Sequence, residues 1–335
     1  MPLSGSLFAP WALNELEITC QLSQENPANL YAHASLVASD SGGLFMAMLS
    51  SSLANQLTGP ITFVSRNLPD FGTKVIVHLH RPLIGHQLLL IEHDGFRIFV
   101  DPNDNCGGRL YYWGSYEPEQ TAVFKQLLNE LQPSTFIDIG ANIGYYSLLA
   151  AAHSQASVYA FEPSPDIADC LDRSISANPF RERIHTVRKA ASKEKGTLTF
   201  FTNEDPHNFG LGSIIKTVDA STEVTVECCA PDDEIAVDLG PSVLCKVDVE
   251  GAEHSALQGM QRILTTYHPT LIVEVHPVEL KRAGSSSEQV CNLLRAFGYK
   301  LSILDNPGEI TDFAALPVDY NYWVVGRWSG SNVPS

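Results

Sequence analysis

The sequence predicts an α/β fold in which helices cover both faces of a mostly parallel, doubly wound sheet. From residue 134 onward, short apolar runs alternate with stretches of helical period, as expected for repeated βαβ units. A glycine-containing turn at 140–144 ends the first apolar run and opens a helical pattern. Sheets of this class bind ligands where such turns meet the carboxyl ends of the strands.

The elements that support this fold follow one another regularly. Five buried strands are predicted at 135–139, 157–161, 184–188, 242–249 and 270–275. Helices are predicted at 145–153, 166–177, 253–266 and 287–297. Additional strands are predicted at 197–202, 224–228, 301–304 and 322–325.

The N-terminal part of the chain carries weaker signals. A helix is predicted at 44–57 and a strand at 74–80. Two β-rich runs at 87–91 and 96–100 flank the dipeptide Asp94-Gly95, which favours a tight hairpin turn. Pro118 suits the first turn of a helix that runs to about residue 131. At the other end, residues 329–335 are expected to be a disordered tail.

Composition narrows the possible partners. The 335 residues carry a formal net charge of −17, which opposes binding to nucleic acid and stable association with anionic membranes. Seven cysteines occur without a Cys-x-x-Cys pair, so reduced thiols and a cytoplasmic location are expected. We see no secretory signal and no apolar run long enough to cross a bilayer.

The turn after the first strand contains Asp138, Gly140, Asn142 and Gly144. A dinucleotide fingerprint would need glycines at 142 and 145, where this chain has Asn142 and Tyr145. No Lys-Ser/Thr pair follows, so the turn is not a phosphate loop either. Asp138 would repel a pyrophosphate but could pair with an ammonium group. The motif therefore predicts a ligand with an amine and a carboxylate, such as S-adenosyl-L-methionine.

Three further strand ends carry polar residues. Glu162 follows the second strand and is placed to accept the hydroxyls of a ribose. Lys246, Asp248 and Glu250 alternate along one strand and share a face. His276, two residues after Glu274, is a candidate general base, although a structural histidine is an open alternative.

These motifs, in this order, resemble the FkbM family of methyltransferases. The resemblance rests on the Asp138–Gly144 turn, Phe161-Glu162-Pro163, the run from Lys246 to Glu253, and Glu274-x-His276, and it covers about residues 95–326. It implies a class I methyltransferase fold and methyl transfer from S-adenosyl-L-methionine to a hydroxyl oxygen. One departure is the run Ala230-Pro231-Asp232-Asp233, where a Thr-Leu-Asp-like run is usual, and it leaves the role of Asp233 open.

We therefore expect a methyltransferase domain at 96–328, which includes the helix that starts at Pro118 and is called the entry helix here. Before it, we expect an extension at 1–95 that helps to shape the acceptor pocket. The acceptor is expected to be a small molecule or glycan, and the oligomeric state is undetermined. The loop at 203–213 is a candidate lid. No metal is expected. Cofactor-binding residues are expected to be Asp138, Gly140, Asn142, Gly144, Tyr145, Glu162 and Asp248. Catalytic residues are expected to be His276, Asp248 and Glu250.

Three other functions stay open at this level. The domain could bind the cofactor without catalysing transfer, while the N-terminal region carries the activity. A nicotinamide oxidoreductase is disfavoured by the missing glycines. A methyltransferase could also act on nitrogen or carbon rather than on oxygen.

Overall fold

An eight-stranded mixed sheet organises the larger part of the chain in the computed structural model. The structure describes residues 18–19, 35–36, 66, 70–85, 87–203, 212–213, 220–304, 306–311 and 316–330. The chain divides into two units, Met1–Gly85 and His86–Ser335. The helix predicted at 44–57 lies outside the described residues.

The first unit contains a short strand pair and one helix among its described residues. Strands β1 (Ile18–Thr19) and β2 (Ser35–Leu36) pair antiparallel. Helix α1 (Asp70–Ile84) occupies the region where a strand was predicted at 74–80, so that prediction is wrong. Within α1 the buried side chains are those of Thr73, Val77, His80 and Ile84. Their spacing of three or four residues is helical, and it outweighs the strand preference of the β-branched run.

The second unit begins with the predicted hairpin. Strands β3 (Leu89–His93) and β4 (Phe96–Val100) pair antiparallel over their whole length. Asp94 and Gly95 both have positive φ angles, of 47° and 87°, as a two-residue primed turn requires. The hairpin lies within the second unit, which begins at His86. The domain boundary expected after residue 95 stays a prediction.

The predicted entry helix is present as α3 (Pro118–Leu131). Before it lie the short helix α2 (Asn105–Gly108) and a π-helical turn at Arg109–Trp113. The hairpin and α3 are tied together by Asp94, whose carboxylate pairs with Lys125 of α3. The hairpin therefore forms a fixed wall next to the entry helix.

The large sheet contains all five predicted buried strands. They are β5 (Thr135–Ile139), β6 (Ser157–Phe161), β7 (Ile184–Val187), β12 (Val243–Val247) and β13 (Thr270–Val275). Three more strands complete it: β14 (Tyr299–Ile303), β15 (Asn306–Glu309) and β16 (Tyr322–Trp328). The spatial order is β15-β14-β16-β13-β12-β5-β6-β7.

The strand order creates one reversal point. The central strands pair parallel from β13 through β12, β5 and β6 to β7, whereas β16 runs antiparallel between β13 and β14. From β5 the chain winds outward to β6 and β7, and then returns to β12 on the other side of β5. Open α/β sheets bind ligands at such a reversal, beyond the carboxyl ends of the strands.

Helices α4 (Tyr145–His153), α5 (Pro165–Ser176) and α10 (Ser287–Ala296) match the predicted bounds to within one residue. The core between these layers includes the fully buried Ile137, Cys245 and Leu257. Apolar burial of this kind dominates the stability of such a layer.

A second, smaller sheet follows β7. It contains β8 (Ala190–Ala191), β9 (Gly196–Asn203), β10 (Gly212–Ser213) and β11 (Ala220–Cys229), in the order β10-β9-β11-β8. The strands predicted at 197–202 and 224–228 are therefore present. Between them, residues 204–211 of the expected lid lie outside the described residues.

The helix predicted at 253–266 is interrupted in the middle, so one element becomes α7 (Glu253–Gln258) and α8 (Gln261–Thr266). Asp232, in the short helix α6 (Pro231–Glu234), explains the break. Its carboxylate accepts hydrogen bonds from the backbone N–H groups of Arg262 (2.6 Å) and Ile263 (3.0 Å), and its own N–H donates to Gly259 O (3.1 Å). A carboxylate distant in sequence thus caps α8.

The remaining described helix, α9 (Pro277–Arg282), follows β13. None of the described helices is long and apolar enough to cross a membrane. At the C-terminus, Ser329 donates its N–H to Gly298 O at 3.0 Å. The expected disordered tail therefore starts with an ordered residue, and 331–335 lie outside the described residues.

The cap on α8 gives a stability test with a matched control. Asp232→Ala leaves two helix N–H groups without their acceptor and should lower the free energy of unfolding by about 1–2 kcal/mol. Asp233→Ala removes an exposed neighbouring carboxylate whose side chain caps nothing in the structure, so it should cost less than about 0.5 kcal/mol. Urea denaturation of the two variants measures the difference, and equal losses would contradict the assignment.

Candidate active site

A cleft opens at the sheet reversal between β5 and β12. It encloses about 1000 Å³, including its open mouth. Its walls come from the ends of β5, β6 and β12, from helix α4 and from the second sheet. Its lining includes Tyr116, Gly140, Asn142, Tyr145, Tyr146, Glu162, Lys246, Asp248 and Glu250.

The turn after β5 needs glycine at position 140. Gly140 has a φ of +87°, and a Cβ there would lie 1.8 Å from Asp248 O. The N–H groups of Gly140 and Ala141 both donate to Phe161 O, at 3.0 and 2.9 Å. The glycine therefore lets the turn after β5 pack closely against the backbone at the end of β12.

Gly144 has a different role from the one expected. Its φ is +94°, and a Cβ there would lie 2.4 Å from Leu171 Cδ1. Gly144 is not among the residues that line the cleft. The glycine therefore lets α4 pack against α5, and its expected role in cofactor binding stays a prediction.

Glu162 lies at the end of β6, as the sequence predicted, and is buried in the cleft wall. Its carboxylate accepts the N–H groups of Asn142 (3.0 Å) and Ser164 (2.9 Å). Burial raises the pKa of Glu162 to about 7, although these two hydrogen bonds favour the ionised form. The carboxylate is thus fixed in place and can accept further hydrogen bonds from a diol.

Asp138 lies beneath the cleft rather than in its lining, with a side chain that is 1% exposed. Oδ2 accepts a hydrogen bond from Ser147 Oγ at 2.7 Å, and Oδ1 is buried without a hydrogen-bond partner among the described residues. Burial raises the pKa of Asp138, although the positive charge of Lys246 on the neighbouring strand acts to lower it. The expected direct pairing with a ligand ammonium is therefore not supported by this placement.

Lys246 holds Asp248 in place. Lys246 is 2% exposed, and its Nζ lies 2.7 Å from Asp248 Oδ2. The ammonium also lies over two aromatic rings. It is 4.8 Å from the centroid of the Tyr146 ring and 5.6 Å from the centroid of the Trp323 ring. Burial alone would raise the pKa of Asp248, but Lys246 and His276 hold it well below its usual range.

His276 lies behind Asp248 and Glu250, and the three residues form a chain of contacts. Its Nε2 lies 3.3 Å from Asp248 Oδ1, and its Nδ1 lies 3.0 Å from Glu250 Oε2. The ring is 3% exposed and does not line the cleft. Burial alone would lower the pKa of His276, but hydrogen bonds to Asp248 and Glu250 raise it to about 11. An imidazole that keeps its proton at neutral pH fits a positioning role better than the general-base role we expected.

Glu274 completes what we call the ionic cluster, which consists of Lys246, Asp248, Glu250, Glu274 and His276. Its Oε2 accepts a hydrogen bond from Trp323 Nε1 at 3.0 Å, and its Oε1 lies 3.7 Å from His276 Nε2. Burial, followed by the charge of Asp248, raises the pKa of Glu274 to about 8.

Three members of the ionic cluster offer ligand atoms that a metal could use. Atoms of Asp248, Glu274 and His276 lie within 4.8 Å of one another. Lys246 already contacts Asp248, and the imidazole carries a proton. A bound cation would have to displace the ammonium of Lys246 from Asp248 and the proton from the ring of His276.

Tyrosine rings form the wall next to the entry helix. Tyr145 packs edge to face on Tyr116 (5.4 Å between centroids) and on Tyr146 (5.1 Å), and its hydroxyl lies 3.2 Å from Thr121 Oγ. The Tyr146 hydroxyl donates to Glu117 Oε2 at 2.7 Å. Sequence reasoning named only Tyr145 here. The position of Tyr116 directly before Glu117-Pro118, at the start of the entry helix, was the signal that could have pointed to it.

The structure thus brings most of the expected site residues together. Those that line the cleft are Gly140, Asn142, Tyr145, Glu162, Asp248 and Glu250. Those that lie behind it are Asp138, Gly144 and His276. The sheet order, the antiparallel strand β16 and the cleft at the β5–β12 reversal give the doubly wound, Rossmann-like α/β fold that the sequence predicted.

Residues 138–301 match the family model described as "Methyltransferase FkbM domain". The match spans just under half of the chain and includes the motifs on which the resemblance to the FkbM family of methyltransferases rests. S-adenosyl-L-methionine is the cofactor that such a domain implies.

Two curated relatives are similar to this chain. Hexuronic acid methyltransferase AglP of Haloferax volcanii is 29% identical over 174 residues, which cover 51% of this chain and 66% of the relative. Methyltransferase sdnD of Sordaria araneosa is 28% identical over 189 residues, which cover 45% of this chain and 73% of the relative. The chain thus spans about two thirds of the length of the first relative.

Solved structures of methyltransferases also align with the chain. The methyltransferase FkbM from Methylobacillus flagellatus gives a TM-score of 0.39 at 15% identity and covers 81% of this chain and 59% of that one. The O-methyltransferase from Bacillus cereus, in complex with SAH, gives a TM-score of 0.37 at 13% identity, with coverages of 82% and 99%.

The cleft fits S-adenosyl-L-methionine on structural grounds. Gly140 and Asn142 place the turn after β5 in the lining of the cleft. Glu162 is a buried carboxylate fixed by two N–H groups, which suits a ribose diol. Carboxylates at the β12 end suit a ligand that carries positive charge.

The two glycines of the turn can be separated experimentally. Gly144→Ala should lower the free energy of unfolding by about 1–3 kcal/mol, because of its positive φ and the contact with Leu171. Gly284→Ala is the control, since Gly284 has a φ of +78° with nothing within 4 Å of a Cβ, and it should cost about 1 kcal/mol. Affinity for S-adenosylhomocysteine should change little in folded Gly144→Ala. If that variant melts like the control but fails to bind, Gly144 contacts the ligand.

The raised pKa of Glu162 predicts a pH dependence of cofactor binding. The hydroxyls of a ligand donate more strongly to an ionised carboxylate than to a neutral one. Because burial raises the pKa of Glu162 to about 7, most Glu162 side chains are protonated below that pH. Affinity for S-adenosylhomocysteine should therefore increase about tenfold from pH 6 to pH 8 and then level off. Calorimetry over this range measures it. Glu162→Gln should bind more weakly and without this dependence, so an unchanged pH dependence in the variant would contradict the role of Glu162.

Proposed function

We propose that the protein transfers a methyl group from S-adenosyl-L-methionine to a hydroxyl oxygen of a small molecule or glycan. The observation that carries the proposal is that the cleft at the β5–β12 reversal is lined both by the buried Glu162 and by the carboxylates of Asp248 and Glu250 at the β12 end. Because the name of the Haloferax relative specifies a hexuronic acid, sugars with and without a carboxylate are the first acceptors to test.

On the cofactor side, Glu162 would hold the ribose, and the backbone at Gly140 and Asn142 would bear the rest of the ligand. When bound, the cofactor supplies an electrophilic methyl group on a sulfonium sulfur. Asp248, fixed by Lys246, would lie beside the methionine end. Tyr145 supports the same wall of the cleft through its contacts with the entry helix.

On the acceptor side, we propose that Glu250 accepts the proton of the reacting hydroxyl. Its side chain lines the cleft and is 34% exposed, whereas the ring of His276 is 3% exposed. Glu250 would accept the hydrogen bond of the reacting hydroxyl, orient its oxygen, and take the proton as the new carbon–oxygen bond forms. His276 would act as a positioning residue that holds Glu250 and Asp248. Alignment of this kind is the main contribution expected of a methyltransferase.

Two expectations remain part of this proposal. The location is cytoplasmic, for which the free thiols of the six described cysteines are the support. The reaction needs no metal, because Lys246 and His276 neutralise the carboxylates that a cation would use. A chelator should therefore leave turnover unchanged, whereas full loss of activity that magnesium restores would recast Asp248, Glu274 and His276 as ligands.

The first experiment separates the enzyme from its rivals. Calorimetry on the full chain should detect binding of S-adenosyl-L-methionine and of S-adenosylhomocysteine, but no binding of NAD. Radiolabelled methyl transfer to a panel of sugars, polyols and amines should then give labelled hydroxyl products. Binding without transfer to any member would favour a cofactor-binding module, and label on amines alone would favour a nitrogen acceptor.

The acceptor-side assignment predicts a graded response of turnover. Glu250→Gln keeps the size of the side chain but cannot take a proton, and it should lower kcat at least about 100-fold with little change in cofactor affinity. His276→Asn should lower kcat less, and the wild-type pH–rate profile should show no inflection near the ordinary histidine pKa of about 6.5. If that inflection appears and His276→Asn removes it together with the activity, the histidine is the base.

A further inference from the structure

Charges in the ionic cluster are unevenly exposed to the cleft. Asp248 and Glu250 are 23% and 34% exposed, whereas Lys246 and His276 are 2% and 3% exposed. Among the described lining residues, Lys246 is the one cation, and its ammonium is directed at Asp248 and covered by the ring of Tyr146. A ligand in the cleft therefore meets carboxylate oxygens, while the compensating cations lie behind them.

The backbone keeps Glu250 in this arrangement. Glu250 has a φ of +49°, and Gly251, which follows it, has a φ of +100°. A glutamate in the left-handed region is unfavourable, and such strain persists mainly where surrounding structure and function require it. The carboxylate is further fixed by His276 Nδ1 at 3.0 Å. Glu250 therefore cannot easily turn away from an acceptor that carries negative charge.

We propose that this cleft selects acceptors without a carboxylate close to the reacting hydroxyl, so that a neutral glycoside is methylated in preference to the corresponding uronic acid. The inference rests on the proposed methyl transfer to a hydroxyl and adds the charge of the acceptor to it. Like charges brought together at a partly desolvated site are strongly unfavourable, and specificity commonly rests on such repulsion. A neutral polyol, in contrast, can donate its hydroxyl hydrogens to the same carboxylates.

The test uses acceptors that differ in one group. The 4-nitrophenyl β-glucoside carries CH₂OH where the β-glucuronide carries a carboxylate, and the glucuronamide has the shape of the glucuronide without its charge. At low salt, kcat/KM for the glucoside should exceed that for the glucuronide at least about tenfold, since the repelling carboxylates are partly exposed. The amide should behave like the glucoside, and added salt should narrow the gap by raising kcat/KM for the glucuronide alone.

Variants locate the source of the discrimination. Glu250→Gln should reduce the ratio of the two kcat/KM values to less than about threefold, whatever its effect on absolute turnover. Glu288→Gln removes an exposed carboxylate in the first turn of α10 and should leave the ratio unchanged. Where Glu250→Gln turns over too slowly, calorimetry in the presence of S-adenosylhomocysteine gives dissociation constants of the glucuronide and the amide, and the preference of the wild type for the amide should disappear in the variant.

Several results would overturn the inference. Equal or better methylation of the glucuronide would do so, as would a ratio that Glu250→Gln leaves unchanged. Methylation of neither glycoside, with normal binding of S-adenosylhomocysteine and labelling of another hydroxylated acceptor, would refute this choice of acceptor but leave methyl transfer to a hydroxyl intact. Failure to bind S-adenosylhomocysteine, or to label any hydroxyl, would instead refute the proposed function.

Discussion

The buried ion pair between Lys246 and Asp248 is the interaction on which the site depends. An ammonium that is 2% exposed is costly to remove from water, and only close partners offset that cost. Lys246 finds them in Asp248, in the charge of Asp138 on the next strand, and in the faces of two aromatic rings. Removing Asp248 would leave the buried ammonium of Lys246 without its closest partner, and breaking a buried pair in this way typically costs about 3–5 kcal/mol.

The pair also organises the backbone around it. The N–H of Asp248 donates to Ile139 O at 2.9 Å, and the carbonyl of Asp248 occupies the space that a Cβ on Gly140 would need. The end of β12 and the turn after β5 are therefore fitted to each other, so that the floor of the cleft is set by two strands at once. His276 extends the arrangement to the end of β13 through its contacts with Asp248 and Glu250.

The opposite wall is built from contacts among the hairpin, the entry helix and α4. Asp94, at the hairpin turn, contacts both Lys125 of α3 and His153 of α4. The ring of His93 lies 5.7 Å from that of Tyr145, and Tyr145 in turn packs on Tyr116. Several partners fix each tyrosine ring, so the wall is preorganised and little conformational entropy is lost when a ligand binds.

The sequence by itself determined the order of strands and helices, the hairpin with its Asp94-Gly95 turn, and the strand ends that carry Glu162 and Asp248. Those features are local, because the spacing of apolar residues and the residue types at turns specify them within short stretches of chain. Only the tertiary structure decided the helix at Asp70–Ile84, the break between α7 and α8, the packing role of Gly144, and the burial of His276. Each of these depends on a partner far away in sequence or on a face that must be buried, such as Asp232 for the break and Leu171 for Gly144. Spacing along the chain places a residue at a strand end, but burial and neighbouring charges decide whether its side chain faces the ligand or supports the residue that does.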